Sequence, residues 1–327
     1  MSCKPQKDPN TPGEHVTPGC ILVTPYLTGT NIYGYQRNKN NVLETNLLTT
    51  SIVGWNLDDT ITGTSQIGTG LITNYPISTR DGSDNIFGKG LSAGMHGRYD
   101  NGHGIWASNT INTGSGADSL KGVAHSRGRA ALFVTSDIRT VGGSDKIKGV
   151  GHTATGIRIG SYIGGATIVP GAIRTGDGND RLIGVNTSSS NGSALMIEDG
   201  LINMGKGNDK VDISEGGYSN NSNTVTPNGE MSPGGSVNLG SGDDIFIGFM
   251  KLSTSSKKPN KGKLDGGHGY DVIEIDSGTF TFNARNHGGV IEENKYTSLR
   301  ITSIEEIQLG SNVYDVNKLS NGDVISG

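Results

Sequence analysis

A short turn built from glycine and aspartate recurs along most of the chain. In "GAIRTGDGNDRLIG", residues 171–184, Gly178 stands two residues before Asp180, and Leu182 stands two residues after it. Ile173, seven residues before the aspartate, completes a set of four positions. Four columns kept in register along the chain indicate a structural repeat. The set recurs around Asp84, Asp118, Asp145, Asp209, Asp244 and Asp271, and a degenerate copy centres on Asp59.

The spacing of the repeat predicts strands rather than helices. Successive aspartates from Asp59 to Asp271 are 25, 34, 27, 35, 29, 35 and 27 residues apart. Stacked β-strands tolerate this scatter because extra residues bulge from a corner of the coil, whereas a fixed-length helical repeat does not. Segments such as "ALFVTSDIRT" and "ALMIEDGLIN" have strand-like composition. We therefore predict an all-β parallel β-solenoid of about eight coils, with a strand leading into each turn and another leading out.

The composition agrees with a long, thin core. The chain has 327 residues, of which 53 are glycine and 32% are hydrophobic, too few apolar residues for one large spherical core. Its net charge of −4 argues against a general nucleic-acid surface. No apolar run reaches membrane-spanning length. We expect neither a nucleic-acid partner nor a membrane span.

The two ends of the chain differ from the repeats. Residues 1–20 are polar and proline-rich, contain both cysteines, Cys3 and Cys20, and lack the apolar core of an ordinary secretory signal peptide. We expect a flexible tail there, with the cysteines either bridged or free. Residues 21–276 are predicted to form the solenoid. From residue 277 the glycine turn is absent, and residues 277–327 are predicted to form a β cap that covers the open end.

The turns have the chemistry of a calcium site. Glycine lets the backbone turn tightly and present carbonyl oxygens, and aspartate adds a hard charged oxygen. Oxygen ligands without histidine or cysteine suit Ca²⁺ rather than zinc or copper. The alternative is that the aspartates only cap backbone amides. The candidate ligands are Gly82, Asp84, Gly114, Gly116, Asp118, Gly143, Asp145, Gly176, Gly178, Asp180, Gly205, Gly207, Asp209, Gly240, Gly242, Asp244, Gly267, Gly269 and Asp271.

These turns resemble the glycine- and aspartate-rich nonapeptide repeats of RTX, or haemolysin-type, calcium-binding proteins. Gly176, Gly178, Asp180 and Leu182 match the motif Gly-Gly-x-Gly-x-Asp-x-apolar-x, and the resemblance covers about residues 54 to 276. The resemblance implies a parallel β-roll with calcium in the turns and an extracellular location. It also implies export without a cleaved N-terminal signal peptide, directed by the C-terminal end.

The chain departs from that family in its spacing. Family repeats run back to back with two turns per coil, whereas here one turn serves a coil of about 30 residues. We therefore expect a wider β-helix with at most one row of ions. Arg80 and Val141 stand where the Asp84 and Asp145 turns would have their first glycine. Those two turns are expected to be the weakest sites.

Three further features allow two interpretations each. His125 and His152 both follow their aspartates by seven residues, and should stack as a metal pair or as part of a solvated turn. "SAGMHGRYDNGHG" and "GGYSNNSNTVTPNGE" lie in the longer intervals and should protrude from alternate coils if they occupy corresponding corners, either as a binding ridge or as inert loops. The lysine-rich residues 251–263 could hold an anionic polysaccharide or form a solvated insertion.

Two functions follow as hypotheses. The first is a non-enzymatic extracellular scaffold or adhesive protein, such as a surface-layer, sheath or fibre subunit, that self-associates head to tail and contacts extracellular polysaccharide. A chain built mostly of one repeat suits that role. The second is a polysaccharide lyase or epimerase, which rests on analogy with other β-helices. Trp55, Trp106 and the scattered tyrosines give that second hypothesis little support.

Overall fold

Three long parallel sheets form the solenoid, and the two apolar columns of the repeat lie on the inner faces of two of them. The computed structural model describes residues 31–36, 52–54, 56, 58–65, 68–91, 102–125, 129–163, 167–188, 193–216, 228–252, 262–285, 288–294 and 297–327. Each complete coil places one strand before the aspartate turn, one after it and one at the back. We call these the upstream, downstream and back sheets. The predicted parallel β-solenoid is confirmed.

The upstream and downstream sheets meet at the aspartate turns. In the solenoid, the upstream strands are Ile52–Val53, Ile77–Ser78, Ile111–Asn112, Asp137–Arg139, Ala172–Arg174, Leu201–Asn203, Ser236–Ser241 and Lys263–His268. The downstream strands are Asn31–Gln36, Thr60–Ser65, Asn85–Gly90, Ser119–Ala124, Lys146–Gly151, Arg181–Asn186, Lys210–Asp212, Ile245–Ile247 and Val272–Ile275.

The back sheet closes each coil. Its strands are Leu71–Ile72, Ile105–Ala107, Ala130–Val134, Thr155–Ile159, Leu195–Ile197, Gly229–Met231 and Met250–Leu252. Apolar side chains from all three sheets meet in one continuous core. This third strand per coil is the reason that a coil needs about 30 residues, roughly three times the length of one nonapeptide repeat.

The predicted apolar columns are ladders of stacked side chains. On the upstream side Ile138 pairs with Ile111 and Ile173, and on the downstream side Ile147 pairs with Leu120 and Leu182. Each of these side chains is buried. Side chains alternate between the two faces of a strand. A residue inserted within one of these strands would therefore move the buried apolar side chains beyond it to the solvent face. The register of the whole solenoid therefore follows from these two columns.

The C-terminal end is closed by strands of a different kind. Thr297–Thr302 and Glu306–Leu309 still add in parallel to the upstream and downstream sheets. Antiparallel strands then follow: Asn312–Asp315 on the downstream sheet, and Gly288–Asn294, Thr279–Arg285 and Asp323–Ser326 on the upstream sheet. A 3-10 turn, Val316–Lys318, joins the two sides. The expected C-terminal β cap is therefore present.

A second glycine column lies in the downstream strands, and sequence reasoning missed it. Gly88, Gly122, Gly149 and Gly184 each stand four residues after a turn aspartate. A Cβ atom at Gly149 would lie 2.3 Å from the carbonyl oxygen of Gly156 in the back sheet. The column therefore lets the downstream and back sheets approach within backbone contact.

The extra residues of the long intervals do not all leave the coil at the same corner. In the Asp145 coil they form an antiparallel hairpin, Ser161–Ile163 with Thr167–Val169, between the back and upstream strands. In the Asp84 and Asp209 coils they follow the downstream strand. The condition of corresponding corners is thus not met by the Asp145 coil, because either corner can release chain without disturbing the stacked strands.

Several expectations fall outside the described residues. These are the tail over residues 1–20 with its cysteines, segments 92–101 and 217–227 of the long intervals, and most of the lysine-rich segment, residues 253–261. The described part of the chain contains no helix that is long and apolar enough to cross a membrane.

The close approach of the downstream and back sheets predicts that a side chain in the second glycine column destabilises the fold. Gly149→Ala should lower the free energy of unfolding by about 1–3 kcal/mol, because the new methyl group must displace backbone. Chemical denaturation monitored by circular dichroism measures this. Gly142→Ala is the matched control, since its Cβ would lie 3.7 Å from the nearest atom, and it should change stability by less than about 0.5 kcal/mol. Equal effects of the two substitutions would contradict the account.

Candidate functional site

Stacking and backbone conformation both require glycine in the turns. Gly176 and Gly178 have φ of 96° and 144°, in the region that side chains disfavour. A Cβ atom at Gly178 would also lie 1.7 Å from the carbonyl oxygen of Gly143 in the preceding coil. All the glycines proposed as ligands share this positive φ: Gly82, Gly114, Gly116, Gly143, Gly176, Gly178, Gly205, Gly207, Gly240, Gly242, Gly267 and Gly269.

The two irregular turns keep the same backbone shape. Arg80 and Val141 have φ of 69° and 56°, so they adopt the left-handed conformation of the glycines that they replace. For a β-branched residue such as Val141 this conformation is strained, at a cost of order 1–3 kcal/mol. The turn geometry is therefore imposed by the neighbouring coils rather than by the residue itself.

The turn aspartates form a continuous ladder through the molecule. The Oδ1 atom of each aspartate accepts a hydrogen bond from the backbone N–H of the aspartate in the preceding coil. The N–H of Asp145, for example, donates to Asp180 Oδ1 over 2.8 Å. The same bond links Asp59 to Asp84, Asp84 to Asp118, Asp118 to Asp145, Asp180 to Asp209, Asp209 to Asp244 and Asp244 to Asp271, at 2.7–3.0 Å.

The cap extends the ladder with a glutamate. The N–H of Asp271 donates to Glu305 Oε2 at 2.8 Å, because Glu305 occupies the position of the turn aspartate in the next level of the stack. Sequence reasoning placed Glu305 in the cap and missed this role. The available signal was the apolar residue Ile307, two positions after it, as in every repeat. Glu305 thus gives the last amide of the ladder a partner.

The carboxylates point into the molecule, and most keep one oxygen without a partner. The turn aspartates are 0–3% exposed. The hydroxyl of Thr113 donates to Asp118 Oδ2. In six other turn aspartates the second oxygen has no hydrogen-bond partner within the described residues, which leaves a buried polar atom that needs a cation, a proton or water. This applies to Oδ2 of Asp84, Asp145, Asp180, Asp209, Asp244 and Asp271.

The side chain five positions before each aspartate changes along the stack. In the coils of Asp84 to Asp180 it is a buried threonine, whereas the coils of Asp209 and Asp244 have Met204 and Leu239 there. The Thr140 hydroxyl donates to the carbonyl of Thr175 at 3.0 Å, and it also lowers the pKa of Asp145 against the larger effect of burial. The later carboxylates have no such hydroxyl.

Burial makes these carboxyl groups weak acids. It raises the pKa of Asp209 to about 8, and the Asp180 and Asp244 carboxylates add to the rise. Burial also raises the pKa of Asp118 and Asp271 to about 7, and the pKa of Asp145 and Asp244 to about 6. The hydrogen bond from the preceding backbone N–H opposes the shift in each case.

The donors match calcium in type, although few of them are side chains. Ca²⁺ takes six to eight oxygen ligands. The carbonyl groups of Gly143, Gly178 and Gly207 accept no hydrogen bond from the described residues, so each of their turns offers a carbonyl and a carboxylate oxygen. No group of three or more His, Cys, Asp or Glu side chains converges in the described parts of the chain. Most ligands of any ion would therefore be backbone carbonyls.

A second ladder runs along the solvent side of the turns in the opposite direction. The N–H of Asn208 donates to Asn179 Oδ1 at 2.8 Å, and the N–H of Asp243 donates to Asn208 Oδ1 at 3.1 Å. The N–H of Tyr270 donates to Asp243 Oδ1 at 2.9 Å. Here each side chain caps the following coil, whereas each turn aspartate caps the preceding one. The "GND" tripeptides in the sequence were an available signal for this ladder.

The predicted stacking of His125 and His152 is confirmed. Their ring centroids lie 4.1 Å apart with the planes inclined by 25°. The Nδ1 atom of His152 lies 3.1 Å from the Thr187 hydroxyl. The pKa of His125 is lowered by burial, and further by His152 and Lys89. The two rings alone offer too few donors for a typical protein metal site.

No protein-family model, curated protein or solved structure matches this chain.

The ladder predicts different effects for two substitutions of one aspartate. In metal-free protein, Asp209→Ala should lower the free energy of unfolding by about 1–3 kcal/mol, because the Asp180 N–H loses its acceptor. Asp209→Asn retains the acceptor oxygen and removes a buried charge, so it should be nearly neutral. Denaturant unfolding in a chelator measures both. A loss in Asp209→Asn as large as that in Asp209→Ala would contradict the ladder account.

The raised pKa values predict the pH dependence of the metal-free protein. In the unfolded chain these carboxyls titrate near 3.8, and in the folded chain at about 6 to 8. The folded state therefore binds more protons between these values, and stability falls as pH rises. In a chelator the melting temperature should fall between about pH 5 and pH 8. A melting temperature that rises over this range would contradict the burial of the carboxyls.

Proposed function

We propose that this protein is an extracellular calcium-binding β-solenoid with a structural or adhesive, non-enzymatic role. The observation that carries the calcium proposal is the row of buried carboxylate oxygens without partners, in Asp84, Asp145, Asp180, Asp209, Asp244 and Asp271. A cation beside these oxygens would let the carboxylates ionise at neutral pH without the cost of an unpaired buried charge.

The spacing of the coils supports ions shared between turns. Strands of adjacent coils lie about 4.8 Å apart, and calcium–oxygen distances are about 2.3–2.6 Å. One ion could thus contact carboxylate oxygens from two neighbouring coils. The carbonyl groups of Gly143, Gly178 and Gly207 are the proposed further ligands.

The expected affinity supports an extracellular location. A site with few carboxylates and many carbonyls binds calcium weakly, and extracellular modules bind it at about 10⁻⁴–10⁻³ M. The resemblance of the turns to RTX repeats points the same way. Calcium would then stabilise the folded chain only after export, because a ligand stabilises the state that it binds.

The architecture supports a scaffold role. Nearly every described residue belongs to the stacked coils or to the cap. The aspartate ladder and the parallel strand pairing join each coil to the next, and the second ladder adds to them from Asn179 to Tyr270, which makes a stiff rod. Such a rod presents the same side-chain positions again and again along its length, which suits a surface-layer, sheath or fibre subunit.

Self-association is proposed to use the edges of the cap. Asn312–Asp315 and Asp323–Ser326 are the outermost strands at this end, and each pairs on one side only within the described residues. Val313 and Val324 on these strands are 61% and 66% exposed. Unpaired strand edges with apolar side chains favour pairing with another chain. Because the end strands are antiparallel, a head-to-tail contact would pair edges rather than continue the parallel coils.

The test is a calcium titration of the metal-stripped chain at about pH 8, where the carboxylates are most ionised. We expect calcium to raise the melting temperature, and light scattering to rise with it. The combined variant Asp118→Asn, Asp180→Asn and Asp209→Asn should keep the fold and lose most of the calcium response. The exposed set Asp81→Asn, Asp177→Asn and Asp243→Asn removes the same charge and should keep the response.

Each outcome bears on one part of the proposal. A melting temperature independent of calcium would overturn the calcium proposal and leave the aspartates as backbone caps. A calcium response without any rise in scattering would overturn association but not ion binding. Val313→Lys with Val324→Lys should abolish association and leave the thermal response intact.

A further inference from the structure

Basic side chains line up on the outer face of the downstream sheet. Lys146, Arg181 and Lys210 each stand one residue after a turn aspartate. They occupy neighbouring positions on three adjacent strands, where Lys146 pairs with Arg181 and Arg181 pairs with Lys210. Neighbouring strands are about 4.8 Å apart, so the row repeats a positive charge at that interval. Like charges at this spacing repel one another unless an anion lies beside them.

A second basic row lies beside the first. Lys121 and Lys148 occupy paired positions two residues further along their strands, and Lys89 on the next strand lies two residues beyond them, opposite Val123. The downstream strands Asn85–Gly90 to Arg181–Asn186 contain no acidic residue. Within the described parts of the chain, Lys210 forms an ion pair with Asp212 at 3.7 Å, while Lys121, Lys146, Lys148 and Arg181 form no ion pair. A protein of net charge −4 thus concentrates positive charge on one face.

A groove runs between the first basic row and the turns. Its volume is about 620 Å³, and it is lined by Lys146, Arg181 and Lys210 together with Asn179 and Asn208. The buried turn aspartates contribute to its floor, but their carboxylates face inwards and carry the ladder. Asp243 also lines the groove, and its Oδ1 accepts the N–H of Tyr270.

The asparagines add hydrogen-bond donors to this groove. The Oδ1 atoms of Asn179 and Asn208 accept the backbone N–H groups of Asn208 and Asp243. Each amide NH₂ group is thereby left as a donor, and neither donates to another described residue. Donors beside a row of positive charges are the arrangement that binds carboxylate or sulfate groups.

We propose that this groove binds an anionic polysaccharide, with its carboxylate or sulfate groups between the basic row and the asparagine amides. The described residues of the lining include no aromatic side chain on which a nucleic-acid base could stack, so a single-stranded nucleic acid fits it less well. The binding supplies a partner for the adhesive role proposed above. It requires the folded solenoid but no ion in the turns.

Two variants test the groove directly. Lys146→Gln, Arg181→Gln and Lys210→Gln, made together, remove the basic row. Asn179→Asp with Asn208→Asp keeps both ladder acceptors, but replaces the amide donors by negative charges. Arg139→Gln, Lys251→Gln and Lys318→Gln form the matched control, because they remove three charges from ion pairs elsewhere on the surface. Circular dichroism and melting temperature establish that each variant folds.

The probes are a uronate oligosaccharide too short to gel with calcium, a sulfated dextran, neutral dextran and single-stranded DNA. Binding of the full chain is measured by calorimetry with calcium and in a chelator, at low and high salt. We expect the uronate or the sulfated polymer to bind, with an affinity that falls as salt rises. Both groove variants should weaken this binding by at least about tenfold, and the control variant should not. The better of the two polymers identifies the anionic group.

Three results would overturn the proposal. The first is that neither anionic polymer binds. The second is that the groove and control variants lose the same amount of polymer affinity. The third is that DNA binds more tightly than either polymer and that the groove variants abolish this DNA binding. The variant that removes the basic row should keep at least the full thermal response to calcium, because it removes no oxygen ligand and no negative charge. Loss of polymer binding with that response intact therefore concerns the groove alone, and loss of the calcium response with polymer binding intact concerns the turns alone.

Discussion

The solenoid depends on the hydrogen bond between a buried aspartate and the backbone amide of the preceding coil. Parallel strands pair well along their length, but a turn leaves backbone amides without strand partners, and burial makes that expensive. Asp180 provides the acceptor for Asp145, and the same bond recurs from Asp59 to Glu305. Each coil is therefore completed by the next one, and the cap supplies the last acceptor. The glycines follow from this stacking, because their neighbours' carbonyl groups leave no space for a Cβ atom.

This arrangement places negative charge where water cannot reach it. The second oxygen of Asp209 is buried, has no partner in the described part of the chain and lies in a coil with Met204 in place of a threonine. A proton or a cation can neutralise such a group. The raised pKa of Asp209 means that the carboxyl group binds a proton more readily than usual. The same backbone that hides the carboxylates leaves the outer side of the turn to Asn179, Asn208 and the basic row. An acidic repeat thus produces a surface suited to anions.

The repeat, the strands and the ligand candidates could be predicted because each depends on local spacing. Gly178, Asp180 and Leu182 recur at fixed offsets, and a two-residue strand period places them on defined faces. The role of Glu305 could not be read in the same way, since it lacks the glycine and its place depends on which strand follows Val272–Ile275. The corners that release extra chain were also beyond prediction, because either one leaves the stacked strands undisturbed.

The class of fold, the register of the coils and the identity of the turn residues follow from the sequence alone, because apolar and glycine columns at fixed offsets allow only one stacking. Three features are visible only in the folded chain: the carboxylates face inwards, each caps its neighbour's amide, and the downstream and back sheets touch along Gly88, Gly122, Gly149 and Gly184. These features depend on contacts between residues about 30 positions apart. A local sequence pattern does not show which atom of a side chain contacts the next coil.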